Sequence, residues 1–290
     1  MRWPTVRASA TTAAPVDDQP SATHRVEVRG LPAWLDADPL LGVAGARYQP
    51  AADGRAVAQA ALSLHDAADL SARLRGVAID GRLLEVLVEP KLPRAAVRAA
   101  RTTDARRRRD TSVGFSRPGV RMDDEGHRSL TPEELALQLG RRAGALHVVD
   151  AGCGVGGNAI GFARAGCRVT AIEHDAERLA MARHNARVYG VGDAITFVHG
   201  DALQHAAAAA ADLCFVDPPW GQWDRTRVEL ADLPLLQALA REPVAPRLWA
   251  KLPPSFAVES FPNAEAAAIF GVAEGDRRRI KFLLLEVARD

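Results

Sequence analysis

The chain reads as an α/β protein, with a doubly wound, mainly parallel sheet in its second half and a smaller α+β unit ahead of it. Three observations carry this. Within residues 146–220, four short apolar runs (146–150, 169–173, 197–201 and 213–217) each end at an acidic residue, with a helical pattern between successive runs. A glycine-rich turn, Gly152-Cys153-Gly154-Val-Gly156-Gly157, follows the first run, at the rim where a parallel sheet places its ligand. Residues 24–90 alternate strand and helix signals on a shorter scale.

Composition bounds the rest. A length of 290 residues suits two domains, and 48% apolar residues can fill their cores. A formal charge of +1 selects no class of partner. Arginine far outnumbers lysine, which occurs only at Lys91, Lys251 and Lys281, so arginine runs are discounted. Cys153, Cys167 and Cys214 are odd in number and lack metal spacing, which implies reduced thiols and no bound metal. No 18-residue apolar run and no signal-type h-region occurs, so a cytoplasmic protein without a membrane partner is expected. Oligomeric state is left open.

Residues 1–23, rich in Pro, Ala, Thr and Ser, read as a disordered tail. In 24–90 the alternation at 25–29 gives a strand and 34–41 a short helix. A second strand at 57–64, a helix at 67–74 and a strand at 82–88 after Asp80-Gly81 complete the unit. This order resembles an RNA-recognition-motif or other ferredoxin-like domain. Its base-stacking aromatics are missing, since Glu27, Val57 and Gln59 stand at those positions. A structural or partner-binding module is therefore expected. Residues 91–121 form an arginine-rich connector, either a solvated linker or helix or a phosphate contact. From 122 a second domain begins. Thr131 reads as an N-cap, with Pro132 at the first helical position and Glu134 closing a capping box, for a helix ending near Gly140.

The chemistry lies in 146–290. Gly152-x-Gly154-x-x-Gly157, with Glu173 about 20 residues on, formally matches a dinucleotide fingerprint and by itself leaves a nicotinamide enzyme open. Three further features favour S-adenosylmethionine. Asp150 ends its strand before the glycines, where an acid and backbone N–H groups together suit an ammonium and a carboxylate. Asp201 ends the third strand, within reach of an adenine amino group. The fourth strand ends in Asp217-Pro218-Pro219-Trp220, which has no role in hydride transfer. An exocyclic nucleobase nitrogen is a poor nucleophile, because its lone pair is delocalised into the ring. The Asp217 carboxylate and the Pro218 carbonyl can accept its two N–H bonds and aim the lone pair, while Trp220 stacks on the base.

Residues from about 124 to the end resemble the trimethylguanosine synthase (RNA cap guanine-N2 methyltransferase) family of class I methyltransferases. The matching runs are Glu125-Gly126, Ser129-Leu-Thr131-Pro132-Glu133, the stretch from Asp150 through Gly157-Asn158, Ala180-Met-Ala-Arg-His-Asn185, Tyr189-Gly190, Gly200-Asp201 and Pro218-Pro219-Trp220-Gly221. The resemblance implies a Rossmann-like seven-stranded sheet and S-adenosylmethionine as cofactor. It gives Asp150 and the 152–157 loop, with Cys153, Gly154, Gly156 and Asn158, to the methionine part. Glu173 with His174 takes the ribose, and Asp201 with Ala202 the adenine. Trp220 would stack on the target guanine, Trp223 is the nearest second aromatic, and Thr131 lies in a segment covering the site. Asp217 stands where the family usually has Ser, and His127 replaces an aromatic. The expected activity is methyl transfer to an exocyclic amino group, guanine N2 of RNA first, with adenine N6, cytosine N4 or a protein amide as alternatives. An inactive nucleic-acid-binding scaffold also stays open.

Overall fold

The computed structural model describes residues 22–221, 225–242 and 244–288; the expected tail lies almost wholly outside them, and so does Trp223. The first unit is built on β1 (His24–Pro32), whose alternation sends Val26 and Val28 into the core and Glu27 outward. A short α1 (Asp38–Leu41) leads to β2 (Arg47–Pro50) and β3 (Arg55–Leu62). Helix α2 (Leu64–Leu74) follows, capped by Ser63. Next come a small hairpin, β4 (Ala78–Ile79) and β5 (Arg82–Leu83), and then β6 (Glu85–Glu89). The antiparallel sheet runs β2-β3-β1-β6. The helix expected at 34–41 starts only at Asp38. Trp34 instead forms part of a turn, donating its indole N–H to Asp80 at 3.3 Å.

The arginine-rich connector is held, not free. Helix α3 (Arg94–Arg107) packs Ala100 against Ala68 and Ala72 of α2, and Arg107 meets Asp69 at 2.5 Å. Arg94, Arg98, Arg101 and Arg106 stay exposed. Beyond it, Ser112 donates from both N and Oγ to Asp276, which also pairs with Lys281 at 3.1 Å.

Helix α4 (Asp124–Ser129) and helix α5 (Glu133–Ala143) follow. The expected capping by Thr131 does not occur. Pro132 occupies the N-cap position of α5 without a side-chain hydrogen bond, and Thr131 is buried one residue earlier with its hydroxyl unpartnered. Nor does the helix stop near Gly140. A Cβ on Gly140 would lie 2.6 Å from that of Ala165, so this glycine is where α5 presses onto the next helix rather than where it ends.

The second sheet comprises β7 (His147–Ala151), β8 (Arg168–Glu173), β9 (Ile195–His199), β10 (Leu213–Val216), β11 (Arg247–Leu252), β12 (Glu265–Phe270) and β13 (Ile280–Ala288). Its order is β12-β13-β11-β10-β7-β8-β9, with β13 antiparallel to both neighbours. This is the seven-stranded, doubly wound arrangement that the resemblance to class I methyltransferases implies. β12 reads Glu-Ala-Ala-Ala-Ile-Phe, a helical composition that edge pairing with β13 overrides. Helices α6 (Gly157–Arg164) and α7 (Ala176–Val188) cover one face with α5. Helices α8 (Ala202–Ala206) and α9 (Pro234–Arg241) cover the other. The chain order reverses between β7 and β10, which opens a crevice at their carboxyl ends.

Asp80 joins the two units. Its N–H donates to the Pro254 carbonyl at 2.9 Å, and its Oδ1 accepts from Val258 N at 2.7 Å. Among the described residues no helix is long and apolar enough to cross a membrane.

Candidate active site

A cavity of about 520 Å³ fills the crevice. Its floor is the turn after β7, with Gly152, Cys153 and Gly154, together with Asn158 at the start of α6. Glu173 and His174 from the tip of β8 form one wall, and Asp217, Pro218, Pro219 and Trp220 after β10 form the other. Thr131 and the α4 segment close the top. The turn opens into α6 because Gly156 takes φ 94° at the N-cap, where its bare Cα also lets α7 approach at Ala182. Gly156 is therefore structural and does not line the cavity.

Asp150 lies beneath this floor, fully buried, with neither carboxylate oxygen closing a hydrogen bond of ordinary geometry. Burial, then the neighbouring Asp217 and Glu173, push its pKa up to about 8. Asn158 Oδ1 and Thr131 Oγ1 are likewise buried without partners. Such groups cost free energy until something satisfies them. A ligand bearing an ammonium beside its own hydrogen-bonding groups would do so, and these residues fit S-adenosylmethionine. A nucleotide pyrophosphate would instead bring negative charge toward Asp150, Glu173 and Asp217, which disfavours the nicotinamide alternative.

Glu173 is fixed, accepting from Gly154 N at 2.8 Å and Asp175 N at 3.0 Å, with His174 Nδ1 at 2.9 Å. A carboxylate has capacity beyond these for ribose hydroxyls. Asp201 is placed differently from Glu173. Its Oδ1 caps α8 through Leu203 N and Gln204 N, and neither it nor the buried Ala202 lines the cavity.

The Asp217 carboxylate, 16% exposed, pairs with Lys251 Nζ at 2.6 Å. Burial raises its pKa, while Lys251 and Asn158 oppose the rise. Trp220 donates its indole N–H to the Lys251 carbonyl at 3.2 Å, and the Lys251 ammonium lies 5.1 Å from its ring centre. Trp220 thus stands as a wall rather than a plug. Behind it is a second cavity of about 540 Å³, which shares Arg128, Ser129, Leu130, Trp220 and Lys251 with the first and adds Phe115, Lys281 and Phe282.

Sequence reasoning missed Lys251; its one signal was a lysine inside the otherwise apolar run Leu-Trp-Ala-Lys-Leu, in a chain nearly devoid of lysine. It also missed what holds the cover. Arg178 of α7 binds Asp123 at 2.8 Å and Glu125 at 2.5 Å, straps on either side of the α4 start. Asn185 clasps the backbone of Arg121, accepting its N–H at 2.7 Å and donating to its carbonyl at 2.8 Å. The Tyr189 hydroxyl donates to Glu133 at 2.6 Å and accepts from Ser116 N at 3.1 Å. With Arg164 these bonds hold the Glu133 carboxyl down at about 2 against its burial. The run that resembles Asn-x-x-x-Tyr is thus an anchor for the cover rather than a ligand contact. Among the described residues no group of three or more His, Cys, Asp or Glu side chains is placed to hold a metal ion.

Comparison with known proteins agrees with this geometry. Residues 145–242 match the family model for RNA cap guanine-N2 methyltransferases. The trimethylguanosine synthase of Schizosaccharomyces pombe is 36% identical over 119 residues, covering 37% of this chain and 49% of that protein. The Saccharomyces cerevisiae trimethylguanosine synthase is 32% identical over 124 residues, covering 39% of each. The chain therefore spans about half or less of the length of these curated relatives. Among solved structures, an RNA methyltransferase from Salinibacter ruber in complex with S-adenosyl-L-homocysteine aligns at TM-score 0.40 and 20% identity, over 55% of this chain and 92% of that one. A methyltransferase from Geobacter sulfurreducens aligns at TM-score 0.40 and 21% identity, over 69% and 91%. The stretch that the family model matches, residues 145–242, carries the glycine turn, Glu173 and the 217–220 wall of the first cavity.

Proposed function

We propose that the protein is an S-adenosylmethionine-dependent methyltransferase acting on an exocyclic amino group, guanine N2 of RNA. The reading rests on one juxtaposition. A buried, unpartnered Asp150 lies under the same cavity whose far wall is Asp217-Pro218-Pro219-Trp220. Bound S-adenosylmethionine supplies an electrophilic methyl on its sulfonium, so no covalent enzyme intermediate is needed. Asp150 would take the donor's ammonium and Glu173 its ribose hydroxyls. From the second cavity a base would lie against Trp220, with its amino group directed at Asp217. The carboxylate accepts an N–H and turns the nitrogen lone pair out of conjugation. The α4 segment borders both cavities through Arg128 and Ser129. The exposed α3 arginines, with Arg128 at the second cavity, supply positive charge for a phosphate backbone.

Incubation with total RNA and labelled S-adenosylmethionine, followed by nucleoside analysis, tests this reading. N2-methylguanosine is expected, lost in Asp217→Ala. Label on adenine N6, cytosine N4 or protein would move the acceptor, and donor binding without any label would favour an inactive RNA-binding scaffold.

A further inference from the structure

Lys251 sits where an aliphatic side chain would be expected. Its neighbours in β11, Leu248, Trp249, Ala250 and Leu252, are all buried, and Lys251 itself is only 4% exposed. On β13 it stands opposite Leu284. Burying an ammonium inside a sheet costs more than an apolar residue of similar volume, unless charge and hydrogen bonds compensate it. The compensation is all on the active-site side: Asp217 at 2.6 Å, the Ser129 carbonyl at 3.1 Å, and the rings of Trp220 and Phe282 at 5.1 and 5.7 Å. One side chain therefore touches the acceptor carboxylate, the stacking wall and the cover segment, at the boundary of both cavities.

We propose that Lys251 is a positioning residue for methyl transfer, keeping Asp217 a carboxylate and holding Trp220 against β11, so that amino group and ring plane are fixed together. This rests on the amino-methyltransferase reading above. The surroundings make the ammonium necessary. Asp217 is buried, which favours its neutral form, and its charge acts in turn on the buried Asp150 of β7. The acids Asp123 and Glu125 at the α4 start are already paired with Arg178. Of the other cations on these cavities, Lys281 pairs with Asp276, and Arg128 and His127 lie on α4 without an ion pair to Asp217. Cys153 and His174 lie across the first cavity, the latter beside Glu173. Lys251 is thus the cation bonded to Asp217. Without it, burial favours the protonated acid, which has lost an acceptor site and cannot take the amine N–H in the same way.

The test is Lys251→Met, which keeps length and removes charge. Affinity for S-adenosylhomocysteine should stay near wild type. The single-turnover rate on RNA at neutral pH should fall about 10²-fold, the range for loss of one organised transition-state group. The acid limb of its pH profile should move to higher pH, because activity requires the carboxylate and is lost as pH falls through a pKa now raised further. Difference infrared spectra against Asp217→Asn should show a protonated-carboxyl signal at neutral pH in Lys251→Met and none in wild type. Lys251→Arg should restore both profile and spectrum, and Lys251→Gln gives the charge-free arm should the methionine variant fail to fold. A pH profile superimposable on wild type, or no protonated Asp217 signal, overturns the proposal. If wild type methylates no RNA, the functional reading fails, while the infrared comparison still decides the role of Lys251.

Discussion

The rim of the seven-stranded sheet and the open face of the four-stranded sheet both present acids and polar groups, yet they treat them oppositely. On the open face Glu27 accepts from Arg29 at 2.5 Å and from Gln59 at 2.9 Å, and Arg25 donates to Gln59 at 3.3 Å. At the rim Asp150, Asn158 and Thr131 are buried with oxygens that no hydrogen bond of ordinary geometry among the described residues satisfies. The first pattern is a finished surface. The second is structure held ready for something else, since stability alone would have removed it.

Four substitutions and one pH titration would break or sharpen that contrast. The largest effect is expected for Asp150→Asn, which should weaken S-adenosylhomocysteine binding by about 2–5 kcal/mol, as for loss of one partner of a buried charge pair. Calorimetric titration checks it, and melting of the unliganded variant should be no lower than wild type. pH sharpens the same point. Asp150 is an acid whose folded pKa is raised to about 8, so between the ordinary carboxylate range and pH 8 the native state holds a proton that the unfolded chain has lost. Stability of the unliganded protein should therefore fall as pH rises through that window. Donor binding at pH 7 should release a proton, measurable by calorimetry in buffers of different ionisation enthalpy.

Next, Trp220→Ala should cost about 1–3 kcal/mol of acceptor binding, the worth of one base–aromatic stack. It should appear in the KM for RNA, with donor affinity little changed. Tyr189→Phe removes the hydroxyl that joins Glu133 to Ser116, and should cost about 1 kcal/mol in chemical denaturation. It should also weaken the donor, because the cover loosens. Smallest of all, Glu27→Gln on the finished face should change stability by less than about 0.5 kcal/mol and leave RNA binding unaltered. A large loss of RNA affinity there would collapse the distinction between the two faces.

Much of the site was legible because parallel sheets put ligand groups at strand ends. Asp150, Glu173 and Asp217 could be placed by counting apolar runs, and the glycine turn by its spacing. Local pattern did not reveal what depends on distant packing. Lys251 lies 34 residues beyond Asp217 and meets it only across paired strands. Thr131 carries every sign of an N-cap, yet Pro132 takes that place and tertiary packing buries the hydroxyl. β12 has a helix former's composition and is an edge strand because β13 offers it a partner. Asp201 ends its strand like the others, but its carboxylate is engaged by the helix that follows.

The bonds from Asp80 to Pro254 and Val258 reach beyond mere attachment. They grip the loop that leaves β11 two residues after Lys251, so the small unit's hairpin and the buried ammonium share one short piece of backbone. Heat should accordingly take both units in a single cooperative transition. A substitution at Asp80, far from any methyl group, would then be felt as a change in turnover.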